Sequence, residues 1–89
     1  MHVGKRLPVV KLLTRPGCLT CDQAKFVLRR IKQQGTDFEG QVVNILKERA
    51  YLGFNDELPV ILVDEEPVVR TNVNERLLRD AIEKAASRL

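Results

Sequence analysis

Cys18 and Cys21 are the only cysteines in this chain of 89 residues. A thiol pair at C-x-x-C spacing can exchange disulfides, ligate a metal or close a small loop. The pair follows the apolar run Val9-Val10-Lys11-Leu12-Leu13 and the turn residues Arg15-Pro16-Gly17, and it opens a stretch of helical period. Three residues along a helix rise about 4.5 Å, which brings the two Cα atoms within reach of a disulfide. Cys18 then stands at the helix N-terminus, where unpaired N–H groups and the positive dipole end favour a thiolate; Cys21 lies one turn inside, more shielded. Attack thus falls to Cys18 and resolution to Cys21, with Arg15 adding a fixed positive charge upstream.

Three blander uses compete. A closed loop of four residues restricts the unfolded chain by about 2 kcal/mol, less than the longer loops that staple small domains. Zinc needs four ligands, and His2 is the one histidine, so zinc or a cluster demands a dimer that shares cysteines. Two inert, buried thiols are the third. Pro59 is a further candidate, because it precedes the buried run Val60-Ile61-Leu62-Val63. It is either a strand-start breaker or a cis Leu58–Pro59 bond that turns the Leu58 backbone towards an extended thiol peptide.

Around these residues the pattern predicts β-α-β-α-β-β-α. Residues 1–7 are a short basic lead-in, and 8–89 form a single domain. Val9–Leu13 suits a strand buried on both faces, with Lys11 as a misfit near an exposed end. From Leu19, Cys21, Ala24, Leu28 and Ile31 share a helical face that ends at Gly35. Val42–Ile45 reads as a second strand, Leu46–Leu52 as a short helix or turn, and Gly53–Glu57 as a connection. Val60–Val63, the turn residues Asp64–Pro67 and Val68-Val69 make a hairpin. Asn72 with Glu75 resembles a capping pair ahead of a helix carrying Leu77, Leu78, Ala81, Ile82 and Ala85 on one face. A helical crossover makes strands 1 and 2 parallel and the hairpin is antiparallel, giving a mixed four-stranded sheet with helices on both faces.

Composition bounds the function. The chain is 44% hydrophobic and 30% charged with four aromatics and no Trp, so aliphatic side chains build the core. Two cysteines are too few for a secreted disulfide framework, and no long apolar run acts as a signal or membrane span, so a reducing, cytoplasmic setting is expected. A net charge of +3 is mild for a nucleic-acid binder. Lys25, Arg29 and Lys32, with Arg30 beside them, make one helix face basic. That face is either solvated or a positive rim that steers anionic thiols or acidic partners.

Read together, Thr14-Arg15-Pro16-Gly17-Cys18-Leu19-Thr20-Cys21-Asp22-Gln23-Ala24-Lys25 resembles the active-site segment of glutaredoxins, and Leu58-Pro59-Val60-Ile61-Leu62-Val63-Asp64 is similar to the cis-proline strand of the thioredoxin superfamily. The agreement spans roughly residues 8–86. It is strongest with small glutaredoxin-like proteins that share T-R-P-G-C-x-x-C and a Val-Asn pair, here Val73-Asn74, before the last helix. The resemblance implies an α/β thioredoxin/glutaredoxin-like fold and a thiol-disulfide oxidoreductase in cell redox homeostasis, with Cys18 as nucleophile, Cys21 as resolving cysteine and Pro59 as the cis-proline. Leu19-Thr20 stands where Pro-Tyr is usual, no Trp precedes Cys18, and Arg70-Thr71-Asn72 replaces the Gly-Gly and acidic element that holds glutathione. Glutathione is therefore a candidate reductant without a built site for tight binding. Arg70, Thr71 and Asn72 are expected near the proline loop, either capping the last helix or, through Arg70, pairing with a substrate carboxylate.

The expectations are a monomeric enzyme without metal or organic cofactor, acting on protein or small-molecule disulfides. Its electrons come from glutathione or a thioredoxin-type reductase, and neither nucleic acid nor membrane is a partner. The competing reading is a non-catalytic adaptor that binds a protein through the Cys18–Pro59 surface.

Overall fold

The β-branched and leucine residues that follow Pro8 form β1 (Val9–Thr14), the strand from which the sheet grows on both sides. The computed structural model describes residues 7–87. Residues 1–6 of the expected lead-in 1–7, with His2, and residues 88–89 lie outside the described residues. After β1 come α1 (Leu19–Gln33), β2 (Glu39–Asn44), a 3₁₀ segment (Arg49–Glu57), β3 (Val60–Val63), β4 (Glu66–Arg70) and α2 (Glu75–Ser87). The sheet order is β2-β1-β3-β4. β1 runs parallel to β2 and antiparallel to β3, and β3–β4 is an antiparallel hairpin, so the mixed sheet and the element order follow the sequence expectation.

Alternation along the strands divides the core. Val10 and Leu12 of β1, with Ile61, Val63 and Val69, pack beneath Ala24, Ile31, Leu78, Ile82 and Ala85 of the two α-helices. Leu13, Val60 and Leu62 face the other way, against Ile45, Tyr51, Phe54 and Leu58. Both α-helices thus cover one face of the sheet, and the 3₁₀ segment is the helix on the other.

Several local expectations are corrected. Lys11 sits in mid-strand, opposite Gln41 and Leu62, and not near an exposed end. Its ammonium reaches the Glu65 carboxylate and donates to the Tyr51 hydroxyl at 3.0 Å, which is how a charge is tolerated there. β2 begins at Glu39, and Ile45 lies beyond its end as a buried anchor. Leu46–Leu52 is a turn that leads into helix, as expected, but Gly53–Glu57 is not a connection: the 3₁₀ segment continues through it to Glu57. Its three-residue repeat leaves no i, i+4 apolar stripe to read. The hairpin turn is two residues, Asp64 and Glu65, both at positive φ as a type I′ turn needs. Pro67 falls inside β4, tolerated because β4 is an edge strand and the pairing there is irregular.

Asn72 does not cap α2. Asn74 does, its Oδ1 accepting the Leu77 N–H at 3.0 Å. Leu77 projects to solvent with 63% exposure, while Leu78, Ile82 and Ala85 carry the buried stripe. No helix among the described residues is long and apolar enough to cross a membrane.

Candidate active site

Pro16 and Gly17 occupy the central positions of a turn closed by the Cys18 N–H on the Arg15 carbonyl at 3.3 Å. Gly17 has φ +84°, the left-handed value a proline-led type II turn requires. The turn delivers Cys18 to the N-cap of α1, with extended backbone and its Sγ accepting the Cys21 N–H at 3.3 Å. A thiolate at this position takes over an otherwise unpaired helix donor and meets the positive end of the dipole. Asp22 in the first turn of α1 and Arg30 and Lys32 in the last complement the dipole and stabilise the helix, with the Asp22 carboxylate competing with a thiolate for the same positive end.

Cys18 and Cys21 are joined in a disulfide across Cα atoms 5.3 Å apart. They differ in access: Cys18 is half-buried, whereas Cys21 is fully buried. The Cys21 Sγ lies 3.8 Å from the Leu13 carbonyl oxygen, an acceptor for its thiol proton once the bond is reduced. Thr20 was noted in the sequence only as a departure from Pro-Tyr. Its hydroxyl is 3.6 Å from the Cys18 Sγ, so it stands as a second polar neighbour of that sulfur.

One cleft opens beside Cys18 on the 3₁₀ side, and a second lies on the proline side, joined to the first through Thr20. The first, of about 710 Å³, is lined by Arg15–Thr20 together with Leu46, Asn55, Asp56 and Leu58. Arg15 donates to the Asn55 Oδ1 at 2.7 Å, so its charge borders the Cys18 cleft while its guanidinium is tied to the 3₁₀ segment. The other, of about 260 Å³, joins Thr20, Gln23 and Val27 to Pro59, Thr71, Asn72 and Val73. Thr20 lines both.

The Leu58–Pro59 bond is cis, and Pro59 is buried. Thr71 adopts φ +71°, a left-handed conformation rare for a β-branched residue. Its N–H bonds to the carbonyls of Glu57 at 2.8 Å and Pro59 at 2.9 Å, clamping the end of β4 to the proline loop. Local strain of this kind gathers at functional sites.

Of the residues singled out in the sequence, Cys18, Cys21, Arg15, Leu58, Pro59, Thr71 and Asn72 converge here. Arg70 lines neither cleft. Its guanidinium binds the Glu57 carboxylate at 2.9 Å and lies over the Phe54 ring. Asn55 and Asp56 were missed, because nothing in the Gly53–Glu57 pattern marked that stretch as a wall. Among the described residues no group of three or more His, Cys, Asp and Glu side chains converges as a metal centre would need.

Comparison with known proteins agrees with this geometry. No curated protein matches the chain. Among solved structures, protein Ne2328 from Nitrosomonas europaea superposes with a TM-score of 0.73 at 20% identity, covering 92% of this chain and 99% of that one. A mutant thioredoxin from Halobacterium salinarum gives 0.64 at 20% identity over 91% and 76% of the two chains. Thioredoxin 1 from Thermosipho africanus gives 0.58 at 13% over 91% and 99%. At these identities the likeness is one of fold, which is therefore α/β and thioredoxin-like. The family described as Glutaredoxin-like domain (DUF836) matches residues 9–83, and with that match spanning most of its length the chain belongs to the glutaredoxin-like domain family.

Proposed function

We propose that the protein is a thiol-disulfide oxidoreductase in which Cys18 attacks and Cys21 resolves. The observation that carries this reading is the asymmetry of the pair: Cys18 is half-buried at the α1 N-cap, and Cys21 is fully buried one turn inside. The Cys18 thiolate attacks one sulfur of a substrate disulfide, and the other sulfur leaves as a thiolate that takes a proton from water. Cys21 then attacks the Cys18 Sγ, its proton passing to the second departing sulfur, and the Cys18–Cys21 bond closes. Two electrons move from the protein dithiol to the substrate, which leaves as two thiols.

Protein or small-molecule disulfides are the substrates in this scheme, and no metal or organic cofactor takes part. Arg15 and Leu58 border the cleft beside Cys18, and Pro59, Thr71 and Asn72 border the cleft on the proline side, each as a substrate contact. Arg70 supports the wall through Glu57. Glutathione serves as a loosely held electron donor, and a thioredoxin-type reductase is the alternative source.

The test uses the reduced protein and a neutral small disulfide. Cys18→Ser should abolish reduction, and Cys21→Ser should accumulate a mixed disulfide on Cys18, read by mass spectrometry. Alkylation of Cys18 should be half-maximal below about pH 8.5, the free-thiol value. Full activity in the Cys18→Ser variant would overturn the reading in favour of an adaptor that binds without exchange. Equilibration against glutathione redox buffers, with and without glutathione reductase, gives the potential and the preferred donor.

A further inference from the structure

We propose that the hollow between α1 and the edge strand β2 is a docking track for an extended, acidic and apolar segment of a protein partner, which leads that partner's disulfide to Cys18. The inference rests on the oxidoreductase reading and names the substrate class for it. It concerns the side of Cys18 away from Pro59.

The track has two parts. Nearest the disulfide, a hollow of about 320 Å³ is lined by Cys18, Asp22 and Lys25 of the turn and helix, and by Asn44 at the end of β2. Beyond it, a hollow of about 410 Å³ runs between Lys25, Leu28, Arg29 and Lys32 on one wall and Phe38, Gly40 and Val42 on the other. Lys25 borders both, so the two hollows adjoin along α1. From Cys18 to Lys32 the helix rises about 21 Å, a length that an extended chain covers in about six or seven residues.

Its chemistry is one-sided. The distal hollow is lined by three cations and no carboxylate, above an apolar floor. Val42 is 58% exposed because β2 is the last strand of the sheet and the α-helices lie over its neighbours. Gly40 leaves room for the far end: a Cβ there would stand 3.3 Å from the Phe38 ring, over which the Lys32 ammonium lies at 4.7 Å. Two carboxylates do approach these cations, Asp22 from the lining of the near hollow and Asp37 from outside the track. Asp22 is 3.6 Å from Lys25 and Asp37 is 3.9 Å from Lys32, but all four groups are exposed, and such pairs hold their cations weakly. Arg29 makes no ion pair among the described residues and lies over the exposed Phe26 ring. Arg30, by contrast, is turned away to Glu75 at 2.6 Å and takes no part. A segment that alternates carboxylate and aliphatic side chains would set its charges against Lys25, Arg29 and Lys32 and its apolar groups on Val42 and Leu28.

Binding is measured on the oxidised protein with two fluorescein-labelled peptides. One has a serine followed by alternating Glu and Val, and the other has Lys in place of every Glu. The Glu peptide should bind about tenfold tighter at low salt, with the gap narrowing as salt rises. The double variant Arg29→Glu, Lys32→Glu should reverse the preference, and Arg29→Gln should weaken it. Equal affinities for the two peptides, or a preference that the charge reversal leaves unchanged, would overturn the docking track. Turnover of a neutral small disulfide is followed separately; its absence counts against the oxidoreductase reading, and the peptide affinities still decide the track.

Discussion

A lysine in the middle of a central strand is held in place by one carboxylate and one phenol. Lys11 is pushed above its ordinary value first by the hydrogen bond to Glu65 and then by that to Tyr51, and the Glu65 carboxyl is held below its ordinary 4.5 by the same lysine. The carboxylate's contribution is therefore complete above pH 4.5 and is lost as pH falls through the depressed folded value; that of Lys11 is complete below 10.5 and is lost on raising the pH through its elevated one. Glu65 is largely exposed, so Glu65→Gln should cost on the order of 0.5 kcal/mol at neutral pH. The melting-temperature gap to the parent protein should close as pH drops below 4.5; a gap independent of pH would show that the pair stabilises by packing alone. At the Cys18 sulfur, Thr20 is the residue to test. Thr20→Val keeps shape and removes the hydroxyl near Cys18, so the midpoint of pH-dependent Cys18 alkylation should move up. An unchanged midpoint would leave the helix N-terminus and the Arg15 charge as the sources of thiolate stabilisation.

The last helix shows how a two-residue shift in a cap changes the reading of an element. Asn72 and Asn74 are both good capping residues, but Thr71 at positive φ and the Asn72 N–H on the Arg70 carbonyl make a tight turn that delays the helix until Glu75. Asn74→Ala should cost about 1 kcal/mol in chemical denaturation, whereas Asn72→Ala should cost far less and alter the Pro59 cleft instead. Equal costs would put the helix start elsewhere. The 3₁₀ segment is the element furthest from its sequence expectation. Its role is to close the second face of the sheet with Tyr51 and Phe54 and to present Asn55 and Asp56 beside Cys18.

Across the whole molecule, β1 and β3 belong to both core clusters, Leu12 and Ile61 on one side and Leu13 and Leu62 on the other. The two faces should therefore unfold together. Ile61→Ala should lower stability by about 2–5 kcal/mol, with a single denaturant transition followed at Tyr51 on the far face; two transitions would mean that the clusters are independent. Much of this frame was legible beforehand, because strand, Pro-Gly turn and helix are signalled by local rules that act within a few residues. The same rules placed Cys18 at a helix start with Cys21 one turn behind. What lay beyond them depends on residues that meet only when the sheet forms. Lys11 finds Glu65 across the sheet, Arg70 pairs with Glu57, and Asn55 comes to border the Cys18 cleft. The sequence by itself determined the order of elements and the placing of the two sulfurs, one at a helix start and the other a turn inside, through hydrophobic period and turn chemistry. Only the tertiary structure decided the surroundings of those sulfurs, because side chains distant along the chain select their partners by distance and burial, which no local spacing encodes.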